Sequence, residues 1–265
     1  MSELTSTRRR LLAVAAGLAL LAGGCGHPSA RSPSRPAPAA TAPDPTAQAH
    51  PARPRQAGLG DAPAYTAWAR TDVSVFARPA TAQPPEALFP AQTGPGQPTS
   101  FLVRQVRRDA SGTTWYQVLL PHRPNGWTGW VRGDQVALRP VEDRLVVQLG
   151  ARRLTLLHGG QVAGSWPVGV GKPGTPTPTG LFFITVKLHP PQISPVYGAW
   201  ALGLSGYSDV LDQFGTGDGQ IALHGTANRD NLGRAVSHGC VRVDNQVITA
   251  LAHKLPLGTP VDIRP

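Results

Sequence analysis

A mainly β protein is predicted, with a small barrel-like domain followed by a second β-rich domain that carries one C-terminal helix. Three observations predict it. Short apolar runs rich in Val, Leu, Ile and aromatic residues are separated by clusters of turn residues. Gly and Pro are abundant, at 30 and 28 residues, and punctuate the chain too often for long helices. Only one stretch, near the C-terminus, has apolar residues at helical spacing with a cap before it and breakers after it.

The chain begins with a segment to be set apart from the fold. Arg8-Arg9-Arg10 precede an apolar run from Leu11 to Ala22, closed by Gly23-Gly24-Cys25. A charged region, a short apolar region and small residues at a cleavage point make residues 1–25 a signal peptide. The run is too short to span a bilayer as a permanent helix. Its small residues ending in cysteine resemble a bacterial lipobox, with Ala22 where that pattern carries leucine. The resemblance implies diacylation of Cys25 and a protein that is exported, lipid-anchored to the membrane and facing the cell wall. The Thr7-Arg8-Arg9-Arg10-Leu11-Leu12 stretch fits both a twin-arginine signal and an ordinary secretory signal with three arginines. Residues 26–64 are rich in Pro, Ala, Ser, Thr and Arg with no periodic apolar pattern. That composition predicts a disordered, semi-rigid tether.

Residues 65–140 change character. Val73, Val75 and Phe76 mark one strand, and the Phe101 to Val106 run a second. The Trp115 to Leu120 run and Gly129-Trp130-Val131-Arg132 mark a third and a fourth. Ala110-Ser111-Gly112 and Arg123-Pro124-Asn125-Gly126 supply turns between them. Several short strands with such turns predict a small all-β barrel. The Trp115 strand, the turn at Arg123 and the Trp130 strand resemble a bacterial SH3-like domain. Trp115, Trp127 and Trp130 either form a ligand-binding face or, for two of the three, fill the small core.

Residues 141–265 predict the second domain. Runs at Leu145 to Leu149 and Leu154 to Leu157 flank Gly150 as a hairpin, and Gly159-Gly160 leads to a strand ending near Val170. The Thr175 to Gly180 stretch alternates Thr and Pro and cannot be a central strand. Further strands are predicted at Leu181 to Val186, Ala199 to Leu204 and Gln220 to Leu223. Asp244 caps the one helix, Val247, Ile248, Leu251, Ala252 and Leu255 line its apolar face, and Pro256 and Gly258 end it. Val261-Asp262-Ile263 is expected to close the domain as a strand.

The net charge of +10 is spread along the chain without a concentrated basic stripe. Nucleic-acid binding is therefore not expected, whereas a diffuse positive charge suits anionic surroundings such as a wall or membrane surface.

The chemistry concentrates at Ser237-His238-Gly239-Cys240-Val241-Arg242 and, sixteen residues before the cysteine, at His224-Gly225. The chain has two cysteines. With Cys25 in the signal, Cys240 has no evident disulfide partner. A free thiol is only a few per cent thiolate at neutral pH, and a neighbouring imidazole raises that fraction. The predicted strand delivers His224 at its end, and the polar loop after it lets the chain return with Cys240. Gly239 removes bulk beside the thiol, and the backbone N–H groups of Gly239 and Cys240 are candidate oxyanion donors. These parts suit acyl transfer through a thioester. Ser237 either bonds the His238 imidazole or holds the turn. His238 is a second base, a substrate-side hydrogen-bonding group or a histidine satisfied in the core, and lining the site is favoured over acting as the base. Arg242 either pins a substrate carboxylate through its planar fork or ties the loop to the sheet. Tyr197, Trp200 and Tyr207 are candidates to border a substrate groove.

His224-Gly225, eleven residues, then the Ser237 to Arg242 run resemble the signature of the L,D-transpeptidases of the YkuD type, as do the stretches from Val168 to Gly180 and from Gly219 to Thr226. The resemblance covers roughly residues 141–264. It implies a mixed β-sandwich-like domain with neither metal nor other cofactor, Cys240 as nucleophile, and His224 as base oriented by the Gly225 carbonyl. It implies peptidoglycan stem peptides as donor and acceptor, loss of terminal D-alanine, and a 3→3 cross-link. Three other readings stay open on the residues alone: an L,D-carboxypeptidase, a zinc hydrolase using His224, His238 and Cys240, and a non-catalytic wall-binding lipoprotein.

Overall fold

Antiparallel pairing builds the whole N-terminal sheet of the structure, a computed structural model that describes residues 64–213 and 217–265. The expected signal peptide with Cys25, and all but the last residue of the expected tether, lie outside the described residues. The first sheet contains β1 (Ala64–Ala69), β2 (Val73–Phe76), β3 (Ala87–Phe89), β4 (Ser100–Arg108), β5 (Thr114–Leu119), β6 (Thr128–Arg132) and β7 (Val136–Val141). Its order is β3-β2-β6-β5-β4-β1-β7.

The sequence pattern announces β2, β4, β5 and β6 but not the other three. β1 reads Ala-Tyr-Thr-Ala-Trp-Ala and lacks a β-branched run, and β7 contains Pro140. Pairing with neighbours overrides these weak local preferences. β7 lies at the sheet edge and pairs only with β1, where a proline is tolerated. Trp115 and Trp130 are buried at 1% and 7% exposure and pack with Phe76. Two of the three tryptophans therefore fill the core, and Trp127 packs at its margin.

The second sheet has eight strands of mixed direction. β8 (Asp143–Gln148), β9 (Arg153–His158) and β10 (Gln161–Pro167) form a meander at one side. β12 (Gly180–Leu188), β13 (Ala201–Tyr207) and β14 (Gln220–Thr226) form a second, and β16 (Val241–Asp244) is the far edge. β17 (Pro260–Arg264) comes last in the chain yet sits between β8 and β12, parallel to the first and antiparallel to the second. It joins the two meanders, so the expected closing strand is central. β11 (Val170–Gly171) pairs in parallel with β15 (Ala235–Ser237) beside this sheet.

The helix α1 (Asn245–Lys254) begins where expected: the Asp244 carboxylate accepts from Gln246 N–H at 2.9 Å. Its buried residues Ile248, Leu251 and Ala252 join Leu223, Val241 and Val243 in the main core. Among the described residues no helix is long and apolar enough to cross a membrane.

The two sheets share a small core of their own, in which Ala64, Leu102 and Leu119 of the first meet Leu181 and Phe183 of the second. Two side-chain amides extend this contact. Gln97 donates to the Lys187 carbonyl at 2.6 Å and accepts from its N–H at 3.0 Å. Asn125 does the same to Tyr207, at 2.7 and 2.8 Å.

Candidate active site

β14 and β16 are adjacent and parallel, with His224 opposite Arg242 and Leu223 opposite Val241. Alternation then sorts the side chains. Leu223, Val241 and Val243 point into the core, each at 0% exposure. Ala222, His224, Cys240 and Arg242 fall on the other face and line a cavity of about 320 Å³. His224 lies within β14, which continues to Thr226, and not at the strand end that the sequence suggested. Cys240 immediately precedes β16. By strand spacing and rise, Cys240 and His224 are diagonal neighbours roughly 8 Å apart at Cα, and both line the same cavity.

The imidazole of His224 is held in one tautomer. Its Nδ1 lies 2.9 Å from the Gly225 carbonyl. A carbonyl only accepts, so Nδ1 donates and the Nε2 lone pair is left for a proton. Tyr197, in the short turn before β13, packs edge-on against the ring with centroids 5.1 Å apart. Burial pushes the His224 pKa below the ordinary imidazole value; the Gly225 carbonyl pulls it up, Arg242 adds to the lowering, and the Tyr197 carbonyl opposes it. Burial pushes the Cys240 thiol up, against the Ala222 N–H and the Arg242 cation. Both shifts favour the uncharged forms, imidazole for His224 and thiol for Cys240.

Behind His224, hydrogen bonds tie three segments of the chain together. Asn245, the first residue of α1, accepts from the Ala199 N–H at 3.0 Å, and the Gly225 N–H donates to the Trp200 carbonyl at 2.9 Å. A Cβ on Gly225 would sit 2.2 Å from Asn245 Oδ1, so only glycine permits this approach. The sequence reading missed Asn245, although it directly follows the Cys240 motif and its helix cap.

Ser237 holds the turn beneath Cys240. Its hydroxyl donates to the Cys240 carbonyl at 2.6 Å and accepts from the Gly239 N–H at 3.1 Å. The alternative bond to His238 is not the one it makes. The Gly239 N–H, expected as an oxyanion donor, is spent inside the turn on the Ser237 hydroxyl, and φ at Gly239 is +121°, a conformation that favours glycine. The Lys172 N–H and the Thr175 hydroxyl both donate to the Ser237 carbonyl, at 3.0 and 3.2 Å, so the Pro/Thr turn braces the cysteine turn.

His238 is exposed and its Nε2 lies 3.3 Å from the Lys172 ammonium. An ammonium only donates, so this nitrogen accepts from Lys172. Tyr197, Ser237, His238 and Arg242 all line the cavity. Tyr207 does not: its hydroxyl donates to the Pro121 carbonyl at 3.3 Å and its ring lies under Arg123, because the end of β13 turns to the N-terminal sheet. Trp200 is also elsewhere, packed between His189 and His253. The apolar side of the cavity comes from Val186, Leu188, Ile193 and Val196, which read in the sequence as ordinary strand and loop residues. Among the described residues no three His, Cys, Asp or Glu side chains converge as a metal site.

Comparison with known proteins places the chain in a family. Residues 142–263 match the YkuD family, described as an L,D-transpeptidase catalytic domain. YkuD of Bacillus subtilis (strain 168) is 33% identical over 151 residues, 55% of this chain and 84% of that protein. YkuD of Bacillus licheniformis is 32% identical over 181 residues, 66% of this chain and 98% of that protein. Among solved structures, Bd1075 of Bdellovibrio bacteriovorus is 30% identical and overlaps 46% of this chain and 47% of that one, with a TM-score of 0.37. With both Bacillus proteins matched over more than two thirds of their length, the chain belongs to the YkuD family of L,D-transpeptidases.

Proposed function

We propose that the protein is a peptidoglycan L,D-transpeptidase that works through a thioester on Cys240. The Cys240 thiol gives its proton to His224 Nε2 as the sulfur attacks the carbonyl of the third residue of a tetrapeptide stem. The bond to the terminal D-alanine breaks, and the imidazolium returns the proton to the departing amine. The side-chain amine of a diamino acid on a second stem then attacks the thioester, His224 takes its proton, and the thiol is regenerated with a 3→3 cross-link formed. The Cys240 N–H is the remaining backbone candidate to stabilise the developing oxyanion, since that of Gly239 is engaged by Ser237.

The observation that carries this reading is the placement of Cys240, just before β16, and His224, in β14, on one cavity, with His224 Nδ1 donating to the Gly225 carbonyl so that Nε2 is the basic nitrogen of the neutral ring. His238 is not given this role, since its Nε2 already accepts from the Lys172 ammonium. The same reading takes residues 1–25 as a lipoprotein signal with the lipid on Cys25, 26–64 as a tether, 65–140 as an SH3-like domain and 141–265 as the catalytic domain. The product would then be made at the wall side of the membrane.

Incubation with a disaccharide-tetrapeptide tests it. D-alanine release together with a dimer of two stems is expected, and both should vanish in Cys240→Ala. D-alanine release with tripeptide alone would make the protein an L,D-carboxypeptidase. No turnover and no adduct on Cys240 would leave a wall-binding lipoprotein.

A further inference from the structure

One wall of the cavity is held in part from outside the sheet that carries Cys240, although the Ser208 N–H also donates to the Gly219 carbonyl at 2.9 Å. Ser208, Leu211, Asp218 and Gly219, which follow β13 and lead into β14, line the cavity. Their carbonyls converge on a side chain from the other sheet. Arg123 donates to the Ser208 carbonyl at 2.6 Å, to Leu211 at 2.9 Å and to Asp218 at 3.0 Å. A guanidinium carries five donors in a fixed plane, so one group ties both ends of the segment together. Its plane also lies over the Tyr207 ring at 5.0 Å. The Asp212 carboxylate reaches it only at 4.0 Å and is fully exposed, so carbonyl oxygens, not an ion pair, hold the arginine.

Asn125 adds a second grip two residues on. Its amide meets both backbone groups of Tyr207 and reaches Asp209 Oδ1 at 3.3 Å. The fit extends to Gly219, where a Cβ would stand 2.7 Å from the guanidinium and 2.3 Å from the Leu211 carbonyl. The turn that reads in the sequence as a mere connection in a small barrel is thus fitted to the segment it touches.

We propose that Arg123 and Asn125 are positioning residues for the cavity: from the N-terminal sheet they fix the wall formed by residues 208–211 and 218–219, and so govern how tightly the cavity binds its peptide donor. The N-terminal sheet is then a working part of the site and not only a spacer or wall anchor. This rests on the transpeptidase reading for the identity of the donor, though not for the grip itself.

The test compares the full chain with Arg123→Ala, Arg123→Lys and Asn125→Ala. Arg123→Ala should raise the KM for the tetrapeptide donor about tenfold with kcat within about threefold, since misplaced binding groups weaken productive binding. Arg123→Lys, which keeps the charge but not the fork, should fall between and serves if the alanine variant fails to fold. A second readout needs no substrate. The Val210 and Leu211 amides, which donate to Ser208 Oγ at 3.3 and 3.0 Å, should exchange hydrogen about tenfold faster in the variants, with β12 amides unchanged. Unchanged exchange, or faster exchange with an unchanged KM, would overturn the proposal. A loss of Tm and of active fraction at constant KM would reduce Arg123 to a structural tie and overturn it equally. Absence of turnover in the unaltered chain would defeat the transpeptidase reading alone, because exchange still reports the grip.

Discussion

His224 and Arg242 stand directly opposite each other across the parallel pair of β14 and β16, so a permanent cation faces the imidazole. The cation disfavours imidazolium, and burial acts in the same direction and more strongly. The base must be neutral to accept a proton. Activity should therefore persist as pH falls below the ordinary imidazole range and be lost only through the depressed His224 pKa. Arg242→Gln should move the acid limb of the kcat/KM profile to higher pH. A limb that moves to lower pH would show that Arg242 does not act on His224 in this way.

The thiol is displaced in the opposite sense to the imidazole, because burial raises Cys240 more than Ala222 N–H and Arg242 lower it. A resting thiolate–imidazolium pair is not expected. The rate of Cys240 alkylation by iodoacetamide should climb only at alkaline pH, above the ordinary thiol range, and should be slower in Arg242→Gln at any fixed pH below that. A rate already on its plateau at neutral pH would contradict this.

General-base help defines the expected cost of losing the imidazole. His224→Ala should lower turnover by about 10²–10⁴-fold while His238→Ala costs far less, because His238 Nε2 is turned to Lys172. Steady-state rates of the two variants on one donor decide it, and equal losses would reopen the choice of base.

Two small residues behind the site are expected to be intolerant for different reasons. Ser237→Ala leaves the buried Gly239 N–H without its acceptor and should cost about 1–3 kcal/mol of stability, read as a fall in the urea midpoint. Gly225→Ala drives a methyl onto Asn245 Oδ1, an overpacking cost of about 1–3 kcal/mol. It also displaces the carbonyl that orients His224, so kcat should drop in Gly225→Ala beyond what the folded fraction explains.

Much of this was legible in the sequence. Strands with consecutive Val, Leu, Ile or aromatic residues, such as β5, β8 and β12, announce themselves because each fits a pleated, half-buried surface. β1, β3 and β7 do not, being short, small-residue or proline-bearing, and exist through their partners. The central seat of β17 is a long-range fact, fixed by pairing with β8 and β12, which no local pattern encodes. At the site, the motif located Cys240, His224 and the Gly225 carbonyl. It could not show that Ser237 consumes the Gly239 N–H, or that Tyr207 belongs to the grip of Arg123 and Asn125, since both depend on backbone direction at a turn. Asn245 was hidden because a residue just inside a helix cap looks like any other surface position.

The central claim is that Cys240 carries the acyl group. Intact-protein mass after a brief exposure to tetrapeptide stem, with no acceptor amine present, tests it most directly. The expected gain is that of the stem less D-alanine, mapped by proteolysis to the peptide containing Cys240, absent in Cys240→Ala and accumulating more slowly in His224→Ala. An adduct on any other residue, or D-alanine release that survives in Cys240→Ala, would contradict it.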